Sequence, residues 1–221
     1  METKKEIRNR VLALRDDMPE EMRRQYSDRI GKHMRLLDVY RSAAVILAYV
    51  SYRSEAMTKE MIRQALEEGK SVFVPKVCGD GMEFWKLNSL EDLHTGYRGI
   101  PEPEESVSFP EYMNIKRCEN QAAKYRIMMW MPGAVFDRNL NRIGYGKGFY
   151  DRYVGGFLMP YKEKTPEVEL TVAGIAFSCQ VLEQIPHEQH DIRPDILITE
   201  SGCTGGNGGY NGIFKSVGTT G

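Results

Sequence analysis

The chain reads as an α/β protein: a mainly parallel central sheet with flanking helices, a Rossmann-like three-layer architecture. Three observations predict it. Short apolar runs recur at 43–50, 71–75, 82–87, 125–131, 170–177 and 195–199, several of them rich in β-branched or aromatic residues. Segments with helical spacing of apolar residues lie between several of these runs. The 221 residues suffice for one large domain, which at this size buries about 70% of its unfolded surface.

The elements follow in order. Ile7, Val11 and Leu14 fall at helical spacing, and beyond Pro19 so do Met22, Tyr26, Ile30, Met34 and Leu37, which predicts two N-terminal helices. AAVILAYV (43–50), MTKEMIRQALEEG (57–69) and SVFVP (71–75) then read as strand, helix with a terminal glycine, and strand. MEFWKL, YRIMMWM, LTVAGIAF and DILIT supply further strands, and helical patterns fall at 146–155 and 179–184. Residues 96–112 are rich in Gly, Pro and Glu and read as a long surface loop. Residues 1–200 are expected to form a single catalytic α/β domain. From Ser201 on, 8 of the 21 glycines gather in a stretch poor in apolar residues, which predicts a flexible C-terminal tail.

Composition narrows the function. Thirty basic against 31 acidic side chains, a net charge of -1, give no general attraction to nucleic acid or anionic lipid. Cys78, Cys118, Cys179 and Cys203 form no C-x-x-C pair, so neither a zinc knuckle nor a disulfide framework is indicated. The first residues carry no apolar signal core, and no later window holds 18 uninterrupted apolar residues. A cytoplasmic, unanchored protein with small-molecule partners is expected, with a monomer favoured.

The most informative stretch is RNLNRIGYGKGFYDRYV, residues 138–154, which follows the run YRIMMWM and the turn signal Pro132-Gly133. In a parallel sheet, ligands sit beyond the carboxyl ends of strands, where loops feed the next helix. Gly144, Gly146 and Gly148 let the backbone approach a ligand or take positive φ, and Arg142 and Lys147 add full charges; together these suit a polyphosphate. A Walker loop would need glycine at Asn141 and a hydroxyl at Gly148, and the dinucleotide fingerprint would need glycine at Phe149, so neither pattern matches. A bare Gly-x-Gly-x-Gly is more often a hairpin with solvated charges. The aspartate, arginine and aromatics crowded beside this one favour a ligand loop.

PGAVFDRN and RIGYGKGFYDRY together closely resemble the signature of the 5-formyltetrahydrofolate cyclo-ligase (methenyltetrahydrofolate synthetase) family. KKEIR, YVSYRSEAMT, GIPEP and AFSCQVLEQIPHEQHDIRPDILITE extend the resemblance, in order, to about Glu200. The resemblance implies cyclisation of 5-formyltetrahydrofolate to 5,10-methenyltetrahydrofolate with ATP as co-substrate and Mg2+ as cofactor, through a phosphorylated formyl group. It assigns Lys4, Arg8, Arg142, Gly144, Tyr145, Gly146, Lys147, Gly148, Phe149 and Tyr150 to ATP, with Lys147 and Arg142 also catalytic. It assigns Val50, Glu55, Tyr145 and Gly148 to the reduced folate, and Asp151 and Asp191 to magnesium.

Plain chemistry supports several of these roles. Lys4 and Arg8 are four apart on one helix face, an unfavourable spacing for like charges unless an anion lies near. A carboxylate such as Glu55 can accept two parallel hydrogen bonds from a pterin edge. Hard carboxylate oxygens suit a magnesium that keeps waters and phosphate oxygens. His187 and His190 form H-x-x-H, but no third soft ligand accompanies them. Trp130 and Met131 could equally be pocket wall or core. Two positions depart from the family: Leu140 stands at a turn position often occupied by glycine, leaving Asn139 or Asn141 to supply a left-handed residue, and Arg98 stands where some relatives have an aromatic. Two rival functions remain: a different ATP-dependent phosphoryl-transfer enzyme on the same scaffold, or a non-catalytic folate binder. Retention of Arg142, Lys147, Asp151 and Asp191 argues against the second, which has no use for a triphosphate site.

Overall fold

In the computed structural model, which describes residues 2–120, 123–188 and 191–205, the chain begins with a helix fixed by its own first turn. Thr3 accepts from the Glu6 amide while the Glu6 carboxylate accepts from the Thr3 amide at 2.8 Å, a capping box that starts α1, Lys4–Asp16. Helices α2, Glu20–Leu36, and α3, Asp38–Ser42, lead to strand β1, Val45–Leu47. Helix α4, Lys59–Glu67, connects to β2, Ser71–Cys78, and β3, Gly81–Leu87.

The segment expected to be a loop, 96–112, contains more structure. It holds a 3-10 turn at Tyr97–Gly99 and β5, Pro101–Pro103, which pairs with β4, Leu93–Thr95, just ahead of the segment. It also starts α5, Phe109–Glu119. Pro110 obscured this helix, yet it sits in the first turn, where a missing N–H is not needed, and Ser108 caps the helix from the Glu111 amide.

Beyond lie β6, Tyr125–Pro132, and the hairpin of β7, Val135–Asp137, with β8, Arg142–Ile143. Helix α6, Phe149–Tyr153, continues through a wider turn at Val154–Leu158 into α7, Met159–Glu163. Strand β9, Val168–Ile175, is followed by β10, Val181–Leu182, then β11, Ile196–Thr199, and β12, Gly202–Gly205. The helix expected at 179–184 is instead a 3-10 turn at Ser178–Gln180 and the strand β10, because Val181 and Leu182 pair in parallel with β7. The start of the predicted flexible tail is the edge strand β12, antiparallel to β11, so a boundary at 200 cuts through a hairpin. Residues 206–221 lie outside the described ones.

The main sheet runs β12-β11-β9-β6-β1-β2-β3, with five parallel strands inside and antiparallel edges at β3 and β12. Alternation along β6 divides the core. Met128 and Trp130 face a layer with Ile30, Met34 and Ile62, whereas Ile127, Met129 and Met131 face one with Phe109, Met113 and Leu158. Helices thus cover both faces, giving the three layers expected. Trp130 and Met131 are fully buried and belong to this core.

Candidate functional site

The strand order sets where a ligand can enter. From β1 the chain builds outward through β2 and β3, then returns to β6 on the other side of β1 and builds the opposite way. Loops leaving β1 and β6 therefore diverge, and a crevice opens between them beyond their carboxyl ends. A cleft of about 440 Å³ occupies this region, lined by Tyr49, Val50, Tyr52 and Glu55 after β1, Pro132 at the end of β6, and much of the 142–151 segment.

One wall is built by backbone. The β7–β8 hairpin is tied by the wholly buried Asp137, whose Oδ1 accepts from the Asn139 and Asn141 amides, both at 2.9 Å. Its Oδ2 accepts from Asn141 Nδ2 at 2.8 Å and the Ile185 amide at 3.1 Å. Leu140 itself adopts the left-handed conformation, φ 63°, so neither asparagine takes over that role. A leucine there costs about 1–2 kcal/mol relative to right-handed backbone. Burial of its side chain against Phe136, Ala176 and Leu197 offsets a comparable amount, about 1.5–3 kcal/mol for a fully buried leucine.

The hairpin delivers Arg142 and the glycines. Gly146 and Gly148 have φ of 94° and 66°, which a residue with a Cβ adopts only under strain. A Cβ at Gly144 would stand 3.0 Å from Arg142 Nη1. Arg142 is buried: Nη1 donates to the Pro132 carbonyl at 3.1 Å and Nη2 to Asp151 Oδ1 at 2.7 Å, while Nε has no hydrogen-bond partner. Lys147 is exposed and has no ion pair among the described residues. Asp151 pairs with Arg142; Arg152 instead donates to the Asp80 carbonyl.

Helix α1 crosses this wall. Arg8 Nε donates to the Gly144 carbonyl at 2.8 Å, beside the glycine loop. Lys4 sits outside the cleft lining, with Nζ 2.7 Å from Asp191 Oδ2 and 3.0 Å from Glu188 Oε1. Partial burial pulls the Lys4 ammonium down in pKa, but its bonds to Asp191 and Glu188 outweigh that and the net direction is up. The Ile192 amide reaches Asp151 Oδ1 at 3.4 Å, so the chain at Asp191 borders Asp151. Of the expected residues, Lys4, Arg8, Gly146 and Asp191 lie beside the cleft lining, and the others line it.

Side chains build the opposite wall. Glu55 Oε2 accepts from the Tyr52 amide at 2.9 Å. Burial pushes the Glu55 carboxyl up from the usual range, against the pull of the Tyr145 hydroxyl, the Tyr52 amide and Arg15. Burial, and then the charge of Glu55, push the Tyr145 hydroxyl well above its usual range.

Arg15, which sequence reasoning overlooked, joins the walls. It is buried, donates from Nη1 to the Tyr145 hydroxyl at 2.7 Å and from Nε to Ser54 Oγ at 3.0 Å, and packs over the Tyr145 ring. A signal was present: Lys4, Arg8, Leu12 and Arg15 recur at helical spacing on one face. Asp137 carried no comparable signal, because its partners converge only through the hairpin and Ile185. At the departure noted for Arg98, the cleft does have an aromatic in the adjacent residue: Tyr97 meets Phe149 edge-on, ring centroids 6.3 Å apart.

Among the described residues no group of three His, Cys, Asp or Glu side chains could hold a metal ion, and His190 lies outside them. Cys78, Cys118, Cys179 and Cys203 are free thiols. No helix among the described residues is long and apolar enough to cross a membrane.

Fold and cleft define the class: an α/β protein with a crevice at the topological switch of a mainly parallel sheet, walled by a glycine-lysine-glycine loop and a half-buried carboxylate. The 5-formyltetrahydrofolate cyclo-ligase family model matches residues 1–200, and the chain belongs to that family. A probable 5-formyltetrahydrofolate cyclo-ligase of Schizosaccharomyces pombe is 31% identical over 151 residues, 66% of this chain and 70% of that one. The 5-formyltetrahydrofolate cyclo-ligase of Escherichia coli K12 is 25% identical over 198 residues, 88% of this chain and 97% of that one. The solved structure of Aquifex aeolicus 5,10-methenyltetrahydrofolate synthetase matches with a TM-score of 0.73 at 27% identity, covering 97% of this chain and 98% of that one.

Proposed function

We propose that the protein cyclises 5-formyltetrahydrofolate to 5,10-methenyltetrahydrofolate, with conversion of ATP to ADP and phosphate. The observation that carries this reading is the meeting, in one cleft, of a glycine-lysine-glycine loop suited to a triphosphate and a half-buried carboxylate suited to a pterin. The formyl oxygen is a poor leaving group. When it attacks the γ-phosphorus, a P–O bond forms and the bond to ADP breaks. N10 then attacks the activated carbon, and phosphate departs with the former formyl oxygen and the proton that N10 gives up.

Such a transfer needs alignment and charge neutralisation more than a protein nucleophile. Lys147 neutralises the transferring group, with no counter-ion among the described residues to give up first. The backbone of Gly144–Gly148 and the Arg8 guanidinium border the triphosphate, and Arg142 holds Asp151 in register. Glu55 accepts from adjacent pterin N–H groups, and Tyr145 spans both substrates.

Magnesium arriving with the triphosphate fits this donor set better than a resident ion. Asp151 is a hard oxygen donor in the cleft, and Asp191 follows on the bordering chain, too few ligands for a protein cage but enough beside phosphate oxygens. In that complex Lys4 exchanges Asp191 for phosphate. The ion supplies charge neutralisation on the phosphate oxygens.

The test is direct. Protein, 5-formyltetrahydrofolate and Mg-ATP are mixed and the near-ultraviolet absorbance of the methenyl product is followed. ATP-dependent appearance of that band is expected. ATP hydrolysis independent of folate would instead support another phosphoryl-transfer enzyme, and folate binding without turnover a non-catalytic binder.

A further inference from the structure

Among the described residues three other than glycine have positive φ, and two of them, Arg53 and Arg98, both at 54°, line the cleft. Left-handed backbone is uncommon for such residues, and strain of this kind gathers at ligand clamps. Neither arginine's position is an accident of a single loop. Arg53 sits in the turn after β1 and Arg98 in the turn before β5, and the Tyr52 hydroxyl joins the two turns by donating to the Arg98 carbonyl at 2.8 Å.

Both side chains are exposed at the cleft, and each guanidinium lies over the ring of the tyrosine before it, 5.1 Å from Tyr52 and 5.4 Å from Tyr97. Stacking of this kind restricts a long side chain while its N–H donors stay available. Among the described residues neither guanidinium has an ion pair or a hydrogen bond. The cleft therefore presents two preset cations with no anionic partner among the described residues, on the wall that carries Glu55.

The phosphate-adapted groups, Lys147 and Arg8, belong to the glycine-loop wall, so a second anion is called for. Given the function proposed above, on which this inference rests, that anion is the other charged end of the substrate. We propose that Arg53 and Arg98 form a subsite for the carboxylates of the folate's glutamate tail, with the pterin held inward at Glu55 and the aminobenzoyl ring passing Tyr52 and Tyr97. Guanidinium donors match a carboxylate bidentately, and each further γ-linked glutamate adds one carboxylate for the pair to take.

The test compares the dissociation constant of 5-formyltetrahydropteroate, which has no glutamate, with those of the mono- and triglutamate forms of 5-formyltetrahydrofolate. Wild type and the Arg53→Gln, Arg98→Gln variant are each titrated at low salt. Wild type should bind the triglutamate at least about tenfold more tightly than the tail-less compound, and the double variant should bring that ratio close to one. A merely structural role would weaken all three ligands together and leave the ratio intact. A ratio near one in wild type, or an unchanged ratio in the variant, overturns the subsite. Those results can occur in a protein that still makes methenyl product, whereas absence of that product from wild type would overturn the proposed function as well.

Discussion

The two walls of the cleft are made in opposite ways. The glycine-loop wall runs through one continuous segment, 137–151, and owes its shape to backbone: a buried aspartate tying a hairpin, a left-handed leucine, two glycines at positive φ. The Glu55 wall is assembled from side chains of α1, the turn after β1 and the turn before β5, with Arg15 bridging to Tyr145. Under the proposed function, the difference teaches that a phosphate site can be written locally, because backbone amides and glycines supply much of it. A site for a flat heterocycle needs groups gathered from distant parts of the chain.

The strongest way to break the comparison is to untie the hairpin. Asp137→Ala removes four hydrogen bonds to a wholly buried carboxylate and leaves buried donors unsatisfied. It should lower stability by about 3–5 kcal/mol in all, since each buried donor left without a partner costs about 1–3 kcal/mol. Urea unfolding measures this, and a loss below about 1 kcal/mol, the value of a single ordinary hydrogen bond, would show that the hairpin does not depend on Asp137.

Lys147→Ala tests the same wall without touching its architecture, since the side chain is exposed and unpaired among the described residues. Turnover at saturating Mg-ATP should fall by about 10²-fold or more, a loss of charge stabilisation where charge moves in the transition state. Unfolding should be unaltered. Near-normal turnover would return Lys147 to a solvated surface cation.

Glu55→Gln sharpens the contrast from the other wall. It keeps size but removes charge and an acceptor, so 5-formyltetrahydrofolate should bind roughly tenfold more weakly while ATP affinity stays near wild type. Isothermal titration of each ligand decides this; equal losses for both would mean that the walls do not act separately.

The same variant predicts a pH effect of known sign. The folded-state pKa of Glu55 is raised, so the folded chain holds this proton more tightly than the unfolded one. Stability is therefore favoured below the ordinary glutamate range and lost as pH rises through the folded value. The ionised form therefore opposes folding, and Glu55→Gln should raise the melting temperature of the ligand-free protein at pH 7. The gain should shrink toward pH 4. A lower melting temperature at pH 7 would mean that the Tyr52 amide and Arg15 outweigh desolvation.

What the sequence determined by itself follows from local physics. Short continuous apolar runs and period-3.6 patterns reveal β1, β2, β6, β9, β11, α1, α2 and α4, since burial of one face or both is written into neighbouring residues. The glycine-lysine-glycine loop is legible for the same reason: what it needs, freedom at φ and nearby charge, lies within a few residues. Tertiary structure decided the rest. Val181 and Leu182 became strand because β7 offered an edge, and Leu140 became left-handed because a buried pocket receives its side chain. Arg15 is one of many arginines until α1 is laid across the cleft, where Ser54 and Tyr145 arrive from segments 39 and 130 residues away. Helical spacing puts Arg15 on the face of Lys4 and Arg8, but its partners have no local signature, because the free energy that selects them comes from bringing distant groups out of water together.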